Sequence, residues 1–191
     1  DVAQAKHDLI EKVAEADDAI MDLYIHNKPV SKEDLKAAIR SSVIANKFVP
    51  VLCGASLKNK GIQLVLDAVY DYLPSPVDLP PIKGFEPDSG EYEERQVSQE
   101  APFCGLCFKL MSDPYVGRLN FVRIYSGTVK AGETIYNSSK REDERLSKIV
   151  RMHANKQELV EEACAGDIVA FVGLKETKTG DTLCKEDQPI V

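Results

Sequence analysis

Hydrophobic positions in the first 26 residues recur at helical spacing: Leu9, Val13, Ala16, Ile20 and Leu23 are separated by four, three, four and three. Apolar side chains so spaced share one face, which predicts a single amphipathic helix over residues 2–26. Asn27-Lys28-Pro29 breaks it. Ser31, three residues before Asp34, is placed to cap a second helix whose buried stripe is Leu35, Ala38, Ile39 and Val43. Lys47-Phe-Val-Pro-Val-Leu-Cys53 reads as a short buried strand, Gly54 to Gly61 as a loop, and Ile62 to Leu73 as a helix. Pro74, Pro76, Pro80, Pro81 and Pro87 followed by Glu91, Glu93 and Glu94 read as a stiff, then acidic linker and a domain boundary. From Ala101 the pattern changes to short strands at 103–111, 117–126, 133–137, 145–152, 167–174 and 182–184, the spacing of a small closed β-barrel. Within it, Asp113 to Asn137 reads as strand, turn and strand, a hairpin carrying Arg118, Arg123 and Lys130. The predicted fold is an α/β part over 1–73, a linker over 74–100 and an all-β barrel over 101–191.

Composition adds few constraints. With 43% hydrophobic and 29% charged residues the chain is ordinary for a globular protein, and no run approaches the roughly 18 apolar residues of a membrane span. The net charge of −7 is unevenly spread: residues 1–100 hold 11 Lys and Arg against 18 Asp and Glu, whereas residues 101–191 hold 13 of each. Any contact with a polyanion is therefore expected from a local cluster in the second half. The first residues lack the apolar core of a signal peptide, and the absence of an initiating Met leads to the expectation that the chain begins inside a longer protein.

Cys53, Cys104, Cys107, Cys164 and Cys184 are an odd set in apolar surroundings, as expected of free thiols in a reducing compartment. Cys104-Gly-Leu-Cys107 has the spacing of a redox or zinc pair. Strand alternation, however, sets Cys104, Leu106, Phe108 and Leu110 on one apolar face and Cys107 on the other. No metal site is expected. A thiol or hydrolytic enzyme built on Cys104, Cys107 or His153 is the alternative, but no carboxylate–nucleophile constellation accompanies them, so no catalytic residue is assigned.

Strand, glycine-bearing loop and helix make an α/β unit, in which ligands sit at the carboxyl end of the strand, and this marks Gly54, Ala55 and Ser56. The other parts of a nucleotide site are missing. Gly173-Leu-Lys-Glu-Thr-Lys-Thr-Gly180-Asp181 has the wrong spacing for a phosphate loop, and an acid stands where lysine is required. Asn27-Lys-Pro-Val and Asn59-Lys-Gly-Ile lack the closing Asp of a guanine-reading Asn-Lys-x-Asp, and no Asp-x-x-Gly occurs.

The runs FKLMSDPYVGRL, FVRIYSGTVKAGETIYN, RMHAN, EEACAGDIVAFVGLKETKTGDTL and CGASLKNKGIQLVLDAVYDYLPSPVDLPPIKG, with the N-terminal helices, resemble bacterial elongation factor G over essentially the whole chain. The family is that of translational GTPases, which also includes release factors and ribosomal protection proteins. The resemblance implies a fragment: residues 1–46 as the helical insert of the GTPase domain, 47–73 as its last strand and helix, and 101–191 as the second domain. It implies that Gly54-Ala55-Ser56 is the last guanine-recognition loop, with a backbone N–H donating to guanine O6. This sequence has Ala then Ser where the family usually has Ser then Ala. GTP and Mg2+ are then cofactors of the whole protein, and neither binding nor hydrolysis is expected of this chain alone. The implied partner is the small ribosomal subunit and its RNA, in the cytoplasm, with no membrane and a monomeric chain. The candidate contacts are Arg118, Arg123, Lys140, Arg141, Arg145, Lys148 and Arg151, with Arg145 and Arg151 on one face of strand 145–152. A generic RNA- or protein-binding barrel is the alternative reading.

Overall fold

The structure, a computed structural model, describes residues 1–191 apart from Tyr115 and Asn155. These two belong to the MSDPYVGRL and RMHAN motifs and lie outside the described residues. The N-terminal pattern resolves into two helices where one is expected, α1 (Val2–Ala14) and α2 (Asp18–Ile25). Asp17 causes the break: its carboxylate accepts from the N–H groups of Ala19 and Ile20, which favours a helix start over continuation. In α3 (Lys32–Ile44) the expected cap forms, with Ser31 Oγ accepting from Asp34 N at 3.0 Å. After a short 3-10 turn at Ser56–Lys58, α4 (Ile62–Tyr72) follows.

The chain divides into two compact units, Asp1–Leu79 and Pro80–Val191. Val13, Ala14, Ile20, Ala38 and Ile39 form the small core of the first. Residues 47–53 are not the buried strand that their apolar run suggests: they carry no strand pairing, and Val49 and Val51 are 86% and 92% exposed. A strand is stabilised by ladder partners, and among the described residues none faces this segment.

The second unit starts earlier than the sequence suggests. Residues expected as linker form β1 (Ile82–Phe85) and β2 (Tyr92–Arg95), an antiparallel pair. Arg95, almost fully buried, holds the pair in place: its guanidinium donates to Phe103 O and Gln188 O and meets the Glu93 carboxylate at 2.9 Å. Local hydrophobicity misses such a hairpin, because it is anchored by a buried cation and by backbone bonds between Phe85 and the distant Val191.

The remaining strands are β3 (Cys104–Asp113), β4 (Gly117–Ser126), β5 (Thr128–Lys130), β6 (Thr134–Asn137), β7 (Glu142–Arg145), β8 (Lys148–His153), β9 (Lys156–Val160), β10 (Glu162–Cys164), β11 (Ile168–Val172) and β12 (Thr182–Cys184). Eight of them form one antiparallel sheet in the order β7-β6-β12-β3-β4-β11-β8-β9, and β5 pairs with β10. Residues from strands far apart in that order (Ile135 of β6, Val122 of β4, Ile149 of β8) meet in one core with Phe103, Phe171 and Leu183, so the sheet curls round it as a barrel. The expected hairpin over 113–137 is not one. β4 pairs with β3 and β11, while β6 pairs with β7 and β12. Nor is 145–152 one strand, since Leu146 turns fully inward and separates β7 from β8.

Among the described residues, no helix is long and apolar enough to cross a membrane.

Candidate functional site

The loop after residue 53 is short and tightly wound. Ala55 N donates to Lys60 O at 2.9 Å and Lys60 N returns a bond to Ala55 O, closing the loop with Asn59 and Gly61 at positive φ. Gly54 has no room for a side chain, because a Cβ there would stand 2.9 Å from Lys60 O. The N–H groups of Ala55, Lys58, Asn59 and Lys60 are used by the turn, and that of Ser56 lies outside its hydrogen bonds. All of residues 54–60 are exposed. The Ser56 N–H, like those of Gly54 and Leu57, is thus left outside the turn's hydrogen bonds in an exposed loop, beside a glycine that allows close approach.

The cations expected to act together are dispersed by the barrel. Arg118 donates to Lys175 O at 2.5 Å and to Thr177 O, so it fastens the loop before β12. Lys140 reaches Glu176 O and stands 3.6 Å from the Asp181 carboxylate. Arg141, at positive φ, meets Pro87 O and Asp88. Arg151 lies 3.3 Å from Asp167. Arg145 and Arg151 therefore share no strand, contrary to expectation, and Arg151 is committed to an acid. Arg123 lies over the Tyr125 ring, 5.2 Å from its centroid.

Arg145 and Lys148 remain. Both are exposed, they flank the Leu146-Ser147 corner, and neither enters an ion pair among the described residues. The corner itself is rigid. Leu146 N donates to Glu133 O, Gly132 N to Leu146 O and Ser147 N to Val172 O. Gly173 fits beneath it at φ +109°, where a Cβ would sit 2.4 Å from Ser147 Oγ. Two cations are thus displayed on a braced turn.

Their acidic neighbours do not neutralise them. Glu144 is buried, and its carboxylate accepts from the N–H groups of Lys175 and Glu176 and from the Thr177 hydroxyl. Burial alone would raise its pKa, but these donors together hold it below the ordinary glutamate value. Sequence reasoning does not single out Glu144. The only sequence signal is that an acidic residue sits on the inward side of a strand.

Cys104, Cys107 and Cys184 are core residues, whereas Cys164 is half-buried and Cys53, contrary to expectation, is exposed. Cys107 packs in the main barrel core and Cys104 with Cys184 and Ile190 on the other side of the sheet, which keeps the expected separation. The expected apolar face is not formed, because a register shift between Cys107 and Lys109 leaves Phe108 largely exposed and turns Leu110 inward. Burial pushes the Cys104 thiol up to about 12 and Cys107 to about 11, the opposite of a thiol nucleophile. His153 pairs with Glu158 at 3.2 Å in the open.

Residues 102–186 match the family model described as elongation factor G domain 2. The matched stretch, called domain 2, runs from β3 to β12. A crystal structure of a Thermus thermophilus protein shares the fold over 94% of the chain, with a TM-score of 0.64 and 24% identity. The chain spans 24% of that protein's length.

Proposed function

We propose that the chain is part of an elongation factor that couples GTP hydrolysis to movement of tRNA and mRNA on the ribosome, and that domain 2 docks it on the small subunit. The observation that carries this reading is the match of residues 102–186 to elongation factor G domain 2. Arg145 and Lys148 on their braced corner support a phosphate contact by charge and shape, without reading of sequence. The Ser56 N–H suits guanine O6, since a backbone donor with fixed direction serves whatever side chain the loop carries. The phosphates and Mg2+ would be held by residues that this chain does not contain, so no hydrolysis is assigned to it. The setting is the cytoplasm, and the reading requires no membrane.

Binding of the chain to isolated small ribosomal subunits tests the docking. Arg145→Glu with Lys148→Glu is expected to weaken it at least tenfold and to flatten its salt dependence by about one to two phosphate contacts' worth of slope. Thermal unfolding of the variant should match the parent. Unchanged affinity and slope in a folded variant would overturn this corner as the anchor.

A further inference from the structure

The outer face of the domain 2 sheet carries rings and cations in register. Along β4, Val122, Ile124 and Ser126 are buried, while Phe121, Arg123 and Tyr125 alternate with them on the other face. Cross-strand pairing extends these residues into rows. Lys109, Phe121, Ala170, Val150 and Leu159 form one; Leu106, Arg123 and Ile168 a second; Met111, Leu119, Val172 and Lys148 a third. The outer surface so made is apolar at its centre, where Leu119, Val150 and Ala170 pack with Phe121, Met152 and Val172.

The aromatic rings lie close to one another and to the cations. Phe108, 42% exposed, lies 6.4 Å from Phe121 between ring centroids. Lys109 Nζ stands 5.7 Å from the Phe121 centroid, and Arg123 lies over Tyr125. Among the described residues Lys109, Arg123 and Lys148 form no ion pair, although elsewhere the barrel matches Lys130, Lys140, Arg141, Arg151 and Lys185 with acids. The carboxylates at the margins are engaged: Asp167 with Arg151 and Cys164 N, Glu158 with His153, and Asp113 with Gln157 and Val116 N.

We propose that this face is a platform for unpaired RNA bases, with Phe108, Phe121 and Tyr125 offering ring faces and Lys109, Arg123 and Lys148 meeting the intervening phosphates. Phe121 and Tyr125 are four residues apart, roughly 13 Å along the strand, with Arg123 between them. Base-on-ring stacking combined with cations is how open sheet faces hold single strands, and a duplex hides the base faces that stacking needs. A protein partner fits less well, since lysine is depleted at the centres of protein interfaces and two of these cations already lie over rings. The proposal deepens the RNA-docking reading above and rests on it.

The test measures fluorescence anisotropy of the whole chain with a fluorescein-labelled A12 oligoribonucleotide and with a blunt RNA duplex of equal length. The parent chain should prefer A12. Phe108→Ala and Tyr125→Leu should each lower A12 affinity roughly tenfold, the lower part of the range for losing one stacked base, and leave duplex binding unchanged. Lys109→Gln with Arg123→Gln should weaken both and flatten the salt dependence. Unfolding midpoints matching the parent confirm that the variants are folded. Equal affinity for A12 and duplex, or folded aromatic variants that bind A12 like the parent, overturns the platform. If the Arg145→Glu, Lys148→Glu change still releases the small subunit in that case, ribosome docking stands and the stacking face alone falls. Binding that is indifferent to salt and RNA form overturns the platform in favour of an apolar protein interface.

Discussion

In the barrel, Phe171, Leu146 and Ile149 are wholly withdrawn from solvent, whereas in the helical unit Leu64, Leu66 and Tyr70 of α4 are exposed, as are Val49 and Val51. Both regions carry strong hydrophobic patterns. The helical stripe names the apolar face of an element, but burial needs a second layer to lie on it. The barrel supplies that layer by curling its own sheet, so the inward residues of eight strands cover one another. The helical unit buries few apolar residues among those described: Val13, Ala14, Ile20, Ala38, Ile39 and Ala68. Stability within the chain should therefore be concentrated in domain 2.

The largest expected effect follows from the barrel core. Phe171→Ala removes a fully buried ring that lies 6.4 Å from Phe103, and should cost about 3–5 kcal/mol in urea unfolding followed by circular dichroism. A loss below about 1 kcal/mol would mean that this core is loosely packed, and the contrast between the units would collapse.

Glu144→Ala comes next. It leaves the N–H groups of Lys175 and Glu176 and the Thr177 hydroxyl without their acceptor, at about 3 kcal/mol. The folded pKa of Glu144 is depressed, so its stabilisation is present above the unfolded value of about 4.3 and is lost as pH falls through the folded value. Parent and Glu144→Gln unfolding curves should accordingly converge in acid. Curves that stay parallel down to about pH 2 would deny Glu144 its charged role. A smaller loss, about 2 kcal/mol, is expected for Gly173→Ala, which combines a left-handed backbone with a contact against Ser147 Oγ. An unchanged midpoint there would show that the 145–148 corner yields, and would weaken it as a mount for Arg145 and Lys148.

What is legible in the sequence differs between the units for physical reasons. The barrel strands show period-2 alternation with glycine and turn residues between them, so the pattern places β3, β4, β11 and β12 close to where they lie. It does not give their pairing, because register and partner choice depend on residues far along the chain. That is why local pattern suggests a hairpin over 113–137 and a single strand over 145–152. The Asp17 cap escapes it because a polar residue at the edge of an apolar stripe reads equally well as helix surface. Of the candidate cations, only geometry separates Arg118 and Lys140, which brace a loop, from Arg145 and Lys148, which face outward. The alternation of Phe121, Arg123 and Tyr125 is visible in the sequence. It gains meaning once Lys109 and Phe108 are placed beside it by a bulge that no local pattern announces.

The smallest expected effect is also the sharpest test of the contrast. Leu64 of α4 is a large apolar residue at helical spacing, yet it is 67% exposed. Leu64→Ala replaces it with the best helix former and removes little buried surface, so stability should change by no more than about 0.5 kcal/mol. The same type of substitution at Leu146, fully buried under the β7–β8 corner, should cost about 3 kcal/mol. If Leu64→Ala cost as much as Leu146→Ala, α4 would be covered in solution and the core of the helical unit would extend over it. A ratio of several-fold would instead place the chain's cooperative stability in the barrel, and leave α4 and residues 47–53 as apolar surface whose pattern alone does not bury it.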